Sequence, residues 1–383
     1  MRKRIVAKCN IIKETNSKKI LELICKGEEL TKLEIAHTLK ISIPTVTTNI
    51  NELKEQGIVD EVSSDIYTGG RRPKVIKLRA NAKVSIGIGI TKSKVIVMVM
   101  NLLNEVIWKE EQDFSDKHFL SYIHVGKKIA DQILEHLKIE KENILGVGIS
   151  IPGAINETRG VAEYTNMGYK EIKLDEIFDL FENSVYIENE ANLSLIAEKI
   201  MGGYEDLKNL LYIGINEGLG GGIFVNGELF TGRNGRAGEF GHMYISSRPN
   251  STPCRVESYI STLGLLNRYN QKSNQSIEKF SEFETLIYSN DELACEILNE
   301  GIDVLIATIY NLNMIFDIQK IIVGGKVARL IKSKNMPILD VMDKYNDLLC
   351  QLDTDIIFSD ITRTTTVGAA LLPIIDFYTL SSD

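Results

Sequence analysis

The sequence is poor in cysteine and in long hydrophobic runs, and each shortage excludes a class of protein. The five cysteines are odd in number and widely spaced, so they indicate neither a disulfide framework nor a paired Cys-x-x-Cys metal site. The longest purely apolar run is the six residues 95–100, far below the ~18 residues of a membrane span, and the basic start leads into no apolar signal core. We therefore expect a cytoplasmic protein without membrane contact.

The sequence also lacks an even distribution of charge. Residues 1–80 hold 16 Lys and Arg against 10 Asp and Glu, a balance of +6, whereas the remaining residues hold 28 against 42, a balance of −14. A basic N-terminal segment joined to an acidic body is typical of a phosphate-binding module attached to a second function. The length of 383 residues, 44% of them hydrophobic, allows two or three domains.

The pattern of residues 16–80 predicts a winged helix-turn-helix. A helix over about 17–25 precedes a second helix that opens at Thr31, which forms a capping-box pattern with Glu34. Ser42 is suited to cap a third helix, because Pro44 is tolerated in a first turn. The buried side of the second helix is expected to consist of Leu33, Ile35, Ala36 and Leu39.

The third helix is the predicted DNA-reading element. Its apolar face of Val46, Ile50 and Leu53 leaves small polar side chains outside, and such side chains fit a major groove. The predicted DNA-contacting residues are Thr45, Thr47, Thr48 and Asn49 on this helix, Arg71 and Arg72 on a glycine-rich wing at 69–73, and the N-terminal Arg2, Lys3 and Arg4. The alternative is that this head is a protein-interaction module or a cap on the body.

From residue 84 the pattern becomes α/β, with two successive rounds of strands followed by helices. The first round has predicted strands at 84–90, 95–100, near 106, 144–150 and 184–187, and helices at 118–137 and 190–201; the second has strands at 210–215, 222–225 and 321–324, helices near 258–270 and 301–316, and a last helix from 367. Two rounds predict two similar lobes, and the cleft between them is the expected ligand site. We expect domains at 1–80, at 81–200 completed by the C-terminal helix 365–383, and at 201–364.

Three segments carry a resemblance to a known family. Residues 311–327, with Asn311-Leu312-Asn313 and Ile321-Ile322-Val323-Gly324-Gly325, residues 235–243, with Ala237-Gly238-Glu239-Phe240-Gly241-His242, and residues 187–192 resemble the ROK family of sugar-responsive repressors and sugar kinases. The head resembles the DNA-binding head of its repressors, including the xylose-responsive type. The resemblance implies a winged helix-turn-helix followed by two actin/hexokinase-like, ribonuclease H-like lobes.

The resemblance also implies which residues bind sugar. The positions matching the family's sugar ligands are Asn166, Asn189, Glu190, Glu239, His242 and Glu257. Glu190 stands where the family's kinases have an aspartate that serves as catalytic base. Carboxylates and amides suit this task, because they form paired hydrogen bonds with neighbouring hydroxyls.

The phosphate-binding turns are altered. The family's kinases carry Asp-x-Gly-Gly-Thr-Lys in the first turn, whereas Gly89 stands here in the aspartate's place. The second turn, usually Gly-Thr-Gly, contains Glu217, and one pair of like charges ~4 Å apart costs about 4 kcal/mol at an effective dielectric of ~20. The family's zinc run of three cysteines is reduced to Cys254, which with His242 falls short of a tetrahedral site. We therefore expect no ATP binding, no cofactor and no metal.

These inferences predict a sugar-responsive repressor of carbohydrate-utilisation genes. Its partners would be operator DNA and a monosaccharide, xylose or glucose, and it would act as a homodimer whose two heads match DNA half-sites ~34–36 Å apart. It would not be an enzyme. The alternatives are an ATP-dependent sugar kinase with an appended DNA-binding head, and an activator or protein-binding regulator.

Overall fold

The computed structural model describes residues 4–6, 16–25, 29–63, 73–163, 167–245, 253–334 and 354–380. The chain divides into two units. Unit 1 comprises Met1–Pro152, Gly160–Glu188 and Thr366–Asp383, and unit 2 comprises Gly153–Arg159 and Asn189–Thr365. Arg71, Arg72 and Asn166, predicted to bind DNA or sugar, lie outside the described residues.

Unit 1 begins with a short strand and a three-helix head. The elements are β1 (Arg4–Val6), α1 (Asn16–Cys25), β2 (Leu30–Thr31), α2 (Lys32–Leu39), α3 (Ile43–Glu55), β3 (Val59–Ser63) and β4 (Lys74–Leu78). The three strands β2, β4 and β3 form an antiparallel sheet in that order. The head has its own core, in which Ile20, Leu21, Ile35 and Ile50 are fully buried. This arrangement confirms the predicted winged helix-turn-helix.

Local sequence signals set the helix ends of the head. The Thr31 hydroxyl accepts the Glu34 backbone N–H at 3.2 Å, and the Glu34 carboxylate accepts the Thr31 N–H at 2.7 Å, so the capping box forms as predicted. Ser42 caps α3 by accepting the Thr45 N–H at 3.2 Å. One prediction is wrong: Leu33 is 64% exposed, because α2 begins at Lys32 and turns that position to solvent.

The rest of unit 1 is a six-stranded sheet with helices. Its elements are β5 (Val84–Ile90), β6 (Lys94–Asn101), β7 (Val106–Asp113), α4 (Phe119–Leu137), a 3-10 helix (Lys141–Asn143), β8 (Ile144–Ile151), β10 (Val161–Glu163), β11 (Glu171–Lys173), α5 (Leu174–Phe178) and β12 (Val185–Asn189), and the three-residue β9 (Ala154–Asn156) falls in unit 2. The strand order of the sheet is β1-β12-β8-β5-β6-β7. β5 is antiparallel to β6 and parallel to β8.

Unit 2 repeats this topology. Its elements are α6 (Glu190–Met201), β13 (Leu210–Ile215), β14 (Leu219–Val225), β15 (Glu228–Leu229), a 3-10 helix (Phe240–His242), β16 (Tyr244–Ile245), β17 (Cys254–Arg255), α7 (Glu257–Ile260), α8 (Thr262–Lys272), α9 (Phe280–Tyr288), α10 (Glu292–Phe316), β18 (Lys320–Gly324), α11 (Lys326–Ser333) and β19 (Asp355–Phe358). The order β15-β14-β13-β18-β19, with β13 antiparallel to β14 and parallel to β18, is that of β7-β6-β5-β8-β12. The two predicted similar lobes are confirmed.

The first strand of the structure and the main part of the last helix both pack within unit 1. The N-terminal strand β1 pairs in parallel with β12, with Ile5 opposite Tyr186. The final helix α12 (Thr364–Leu380) packs on β5 and β8, where Gly87 and Gly148 leave no room for a Cβ atom. At its far end, the side chains of Phe377 and Tyr378 contact the core of the head. Arg4, expected to contact DNA, thus belongs to a strand of the body sheet.

None of the helices in the described ranges combines the length and the hydropathy that a membrane span requires.

Candidate effector site and DNA-binding surface

The junction of β12 and α6 positions the first two predicted sugar ligands. Asn189 caps α6: its side-chain oxygen accepts the Ala191 N–H at 2.8 Å, and its amide nitrogen donates to the Gly153 carbonyl at 2.7 Å. Both bonds fix the Asn189 side chain at the helix start. Glu190 is then the first residue of α6, at the point where the buried strand ends.

Glu190 is a partly buried acid that lies near two other acids. Burial, together with the charges of Glu217 and Glu239, raises the pKa of Glu190 to about 7. The start of a helix favours a negative charge, but loss of hydration outweighs that effect here. Glu190 is therefore close to half-protonated at neutral pH and can either accept or donate a hydrogen bond to a hydroxyl.

Three further predicted ligands lie together in unit 2. Glu239 immediately precedes the 3-10 helix Phe240–His242, His242 is its last residue, and Glu257 opens α7. The His242 Nε2 lies 3.8 Å from the Glu257 carboxylate. Burial raises the pKa of Glu239, against the effect of nearby His242, and Glu257 raises it further. The structure thus brings five of the six predicted sugar ligands into one unit, with charges close enough to interact.

The turn before this segment needs glycine. Gly238 has φ +92° and approaches the backbone of β14 so closely that a Cβ atom would overlap the Gly221 carbonyl oxygen. This close contact holds the Glu239 segment against the sheet. The Ala-Gly-Glu pattern in the sequence therefore has a packing reason in addition to any binding role.

The residues present do not fit the family's zinc ion. The described residues contain no group of three or more His, Cys, Asp or Glu side chains placed to hold a metal. Residues 246–252, which lie outside the described residues, contain none of these four residue types in their sequence. A tetrahedral zinc site needs four such ligands, and this segment offers His242 and Cys254.

Each altered phosphate turn is filled by a side chain of its own unit. In unit 1 a Cβ atom on Gly89 would overlap the Thr366 hydroxyl, so Thr366 takes the space that an aspartate would need. In unit 2 the Glu217 carboxylate lies 3.6 Å from the Lys326 Nζ at the start of α11. The Asn216 side chain accepts the Lys326 backbone N–H at 3.0 Å. A carboxylate and a side-chain amide thus meet the helix start that a phosphate would approach.

The predicted DNA-reading residues lie on the outer side of α3. Val46, Ile50 and Leu53 are buried, as predicted, while Thr48 is exposed and Thr45, Thr47 and Asn49 are partly exposed. Several polar groups already bond within the helix: the Thr48 hydroxyl donates to the Pro44 carbonyl at 3.1 Å, and the Asn49 amide donates to the Thr45 carbonyl at 2.8 Å. The Thr48 hydroxyl oxygen keeps its capacity to accept a hydrogen bond from a partner.

Two apolar residues on the head were missed by the sequence reasoning. Leu33 and Ile43 are 64% and 48% exposed, near the starts of α2 and α3. Large exposed aliphatic side chains at these positions can meet the methyl groups and sugars of DNA. No pattern signals them, since an isolated leucine at the start of a short helix is expected inside.

Comparisons with known proteins agree with this architecture. Residues 83–370 match the model of the ROK family, and residues 13–60 match a model of winged helix-turn-helix DNA-binding domains. A xylose repressor of Caldicellulosiruptor bescii is 26% identical over 339 residues, which are 83% of this chain and 84% of that relative.

Two solved structures share the fold. The crystal structure of a ROK family transcriptional regulator, a homolog of the E. coli MLC protein, has a TM-score of 0.76 at 18% identity and covers 95% of this chain and 96% of that chain. A ROK family glucokinase from Streptomyces griseus in complex with glucose and AMPPNP has a TM-score of 0.62 at 20% identity, covering 76% of this chain and 98% of that chain. The fold is therefore shared with both a transcriptional regulator and a sugar kinase.

Proposed function

Because this chain belongs to the ROK family and carries a winged helix-turn-helix at its N-terminus, we propose that it is a sugar-responsive transcriptional repressor. The observation that carries the proposal is the combination, in one chain, of a DNA-binding head with five gathered polar residues suited to a polyol. A repressor acts where its operator is, so we place the protein in the cytoplasm.

We assign effector binding to Asn189, Glu190, Glu239, His242 and Glu257, with Asn166 as a sixth ligand. Carboxylates at several angles can each accept from a pair of hydroxyls, which suits a neutral monosaccharide and not an anion. The effector is xylose or glucose; relatives at 24–26% identity are named xylose repressors. Loss of one well-placed hydroxyl should cost considerable affinity, because a buried carboxylate would lose its partner.

The chain is not a kinase in this proposal. Glu217 places a negative charge beside Glu190, where a triphosphate would need positive or neutral groups, and Gly89 offers no carboxylate to a metal-bound nucleotide. One observation favours the alternative of a sugar kinase with an appended head: Glu190 keeps a pKa of about 7, which suits a general base. ATP turnover with a common hexose or pentose, abolished by Glu190→Gln, would establish that alternative.

The helix α12 has contacts with an effector-bearing helix in unit 2 and, at its other end, with the head in unit 1. In unit 2 the Ser194 hydroxyl, one turn into α6, donates to the Glu190 carbonyl at 2.9 Å and accepts the Thr364 hydroxyl at 2.8 Å. Thr364 is the first residue of α12, and α12 continues into unit 1. There the Tyr378 hydroxyl donates to the Leu102 carbonyl at 2.5 Å and accepts from the Cys25 thiol at 3.0 Å. We propose that effector occupancy reaches the head through α12.

The head would act in pairs. We propose a homodimer in which sugar binding favours a subunit arrangement whose two heads no longer match half-sites on the operator. Sugar and operator must then weaken each other's binding by the same factor, because coupling between two sites is reciprocal.

Two measurements on the full chain test the proposal. The melting temperature should rise with xylose or glucose and not with ATP, because a ligand of the folded state stabilises by mass action. DNA from the chain's own upstream region should bind in low salt, and affinity should fall as salt rises. A chain that binds such a sugar and no DNA would be a sensor of another kind, whereas ATP stabilisation would support the kinase.

A further inference from the structure

The effector residues of unit 2 include three carboxylates whose negative charges repel one another. Other groups must therefore keep these side chains in position. Glu190, Glu239 and Glu257 interact through their charges, and burial disfavours the ionised form of the first two. The residues present do not fit the zinc ion that the family carries near this segment. We therefore ask which protein groups of the described residues orient these side chains.

The hairpin β16–β17 is the segment in question. Tyr244 pairs with Arg255 and Ile245 pairs with Cys254, so each strand contributes two residues. The Val256 N–H donates to the Met243 carbonyl at 2.9 Å, which extends the pairing by one step. Two residues per strand make a weak hairpin in isolation.

The base of the hairpin leads directly into the predicted ligands. His242 immediately precedes it and Glu257 begins the helix that follows it. Val256 and Ile260, on either side of Glu257, are buried in the core of unit 2. Burial of Val256 and Ile260 thus fixes the backbone of Glu257. The orientation of the Glu257 carboxylate depends on the side chains that it contacts.

Arg255 provides that contact. Its Nη1 lies 3.6 Å from the Glu257 Oε1, and the same oxygen lies 3.8 Å from the His242 Nε2. The guanidinium also donates a hydrogen bond to the Tyr244 hydroxyl on the opposite strand; that bond and the nearby Glu257 raise the pKa of Arg255. A guanidinium can bind two acceptors in a fixed geometry, which an ammonium group cannot.

We propose that Arg255 is the positioning residue of this site: its guanidinium clamps Tyr244 to Glu257, and thereby orients Glu257 and His242 toward the effector without a metal ion. The inference rests on the proposed function for the identity of the effector. It assigns Arg255 no contact with the sugar, since it acts through Glu257.

The clamp makes two predictions that a metal clamp would not. First, chelators should leave the site unchanged, because a chelator removes a bound metal ion and has no effect on an arginine side chain. Second, the effect of removing Arg255 should depend on Glu257. In a double-mutant cycle, Arg255→Gln should weaken binding of xylose or glucose, whichever the full chain binds, by roughly 3- to 10-fold, and should add little in a Glu257→Gln background.

Cys254→Ser is the matched control. It alters the neighbouring residue of the same strand and removes the one cysteine of the hairpin. Arg255→Lys keeps the positive charge but loses the guanidinium group that can bind two acceptors. Its sugar affinity should lie between those of wild type and Arg255→Gln. The experiment is calorimetric titration of six full-length proteins with xylose and glucose, with and without 1,10-phenanthroline: wild type, Arg255→Gln, Glu257→Gln, their double mutant, Cys254→Ser and Arg255→Lys. Hydrogen exchange of the peptide 243–257 is measured on the same proteins.

Hydrogen exchange separates this inference from the proposed function, because it needs no sugar. Arg255→Gln should speed exchange of the hairpin amides, whereas Cys254→Ser and the chelator should not. Faster exchange on chelation, a Cys254→Ser effect equal to that of Arg255→Gln, additive loss in the cycle, or unchanged exchange in Arg255→Gln would each overturn the clamp. If no sugar binds the wild type while exchange responds as expected, the sugar-sensing function fails and the clamp stands.

Discussion

Replacing Glu190 by glutamine should change how the stability of the protein depends on pH. The folded protein holds the pKa of Glu190 at about 7, through burial and the charges of Glu217 and Glu239, against an ordinary value of 4.5. When this acid is unfolded it releases its proton at lower pH. Between about pH 4.5 and 7 the folded state therefore binds more protons, and stability falls as pH rises.

The size of the effect follows from the shift. Each pKa unit corresponds to about 1.4 kcal/mol, so the ionised Glu190 lowers the free energy of unfolding by up to roughly 3 kcal/mol above pH 7. The penalty is absent below about pH 4.5, where both states are protonated. Glutamine does not titrate, so Glu190→Gln should gain stability relative to wild type as pH rises, with most of the gain between pH 5 and 7.

Urea unfolding of the full chain at several pH values from 5 to 8 measures the difference. The matched control is Glu228→Gln, which removes an exposed carboxylate from unit 2 and should leave the pH dependence as in wild type. A Glu190→Gln difference that is the same at pH 5 and pH 8 would show that desolvation and the charges of Glu217 and Glu239 do not raise the pKa of Glu190.

Three further substitutions test other parts of the account. Ser42→Ala removes the cap of α3 and should lower the free energy of unfolding by about 1 kcal/mol, which is measured as a lower melting temperature. DNA binding should also weaken, and unchanged DNA binding would show that α3 is not the recognition helix. Gly89→Asp restores the kinase-type residue but would overlap Thr366, so it should destabilise the protein without ATP binding, and a rise in melting temperature with ATP would contradict this. Tyr378→Phe leaves the Leu102 carbonyl without its hydroxyl donor at a cost of about 1–3 kcal/mol, and should reduce the response of DNA binding to sugar while sugar affinity is kept; an unchanged response would remove this contact from the coupling.

Features set by neighbouring residues could be predicted from the sequence. The Thr31 and Ser42 caps, and the strands at 84–90 and 210–215, lie where their local patterns place them. These features depend on hydrogen bonds and apolar spacing within a few residues. The same reasoning failed for Leu33, whose exposure depends on where the helix begins.

Features set by distant contacts could not be predicted. The strand Arg4–Val6 pairs with Val185–Ile187, and no local pattern in three residues indicates that partner. The eight-residue helix Lys326–Ser333 was also missed, since it directly follows a buried strand without a capping side chain.

The same limit applies to the candidate site. The positions of Glu190 and Glu239 followed from a family resemblance, while their mutual interaction required the fold. Arg255 gave no signal at all, because a two-residue strand has no periodicity and its side-chain partners come from both strands of the hairpin and the start of α7.

The central claim is that a sugar bound beside Glu239 weakens the hold of the head on DNA. Fluorescence anisotropy with labelled upstream DNA and the full chain tests it most directly, with xylose and glucose titrated against wild type and Glu239→Gln. We expect that one of these sugars releases DNA from wild type, and that Glu239→Gln keeps its DNA affinity while far more sugar is needed for release. DNA binding that neither sugar alters, at concentrations that raise the melting temperature, would contradict it.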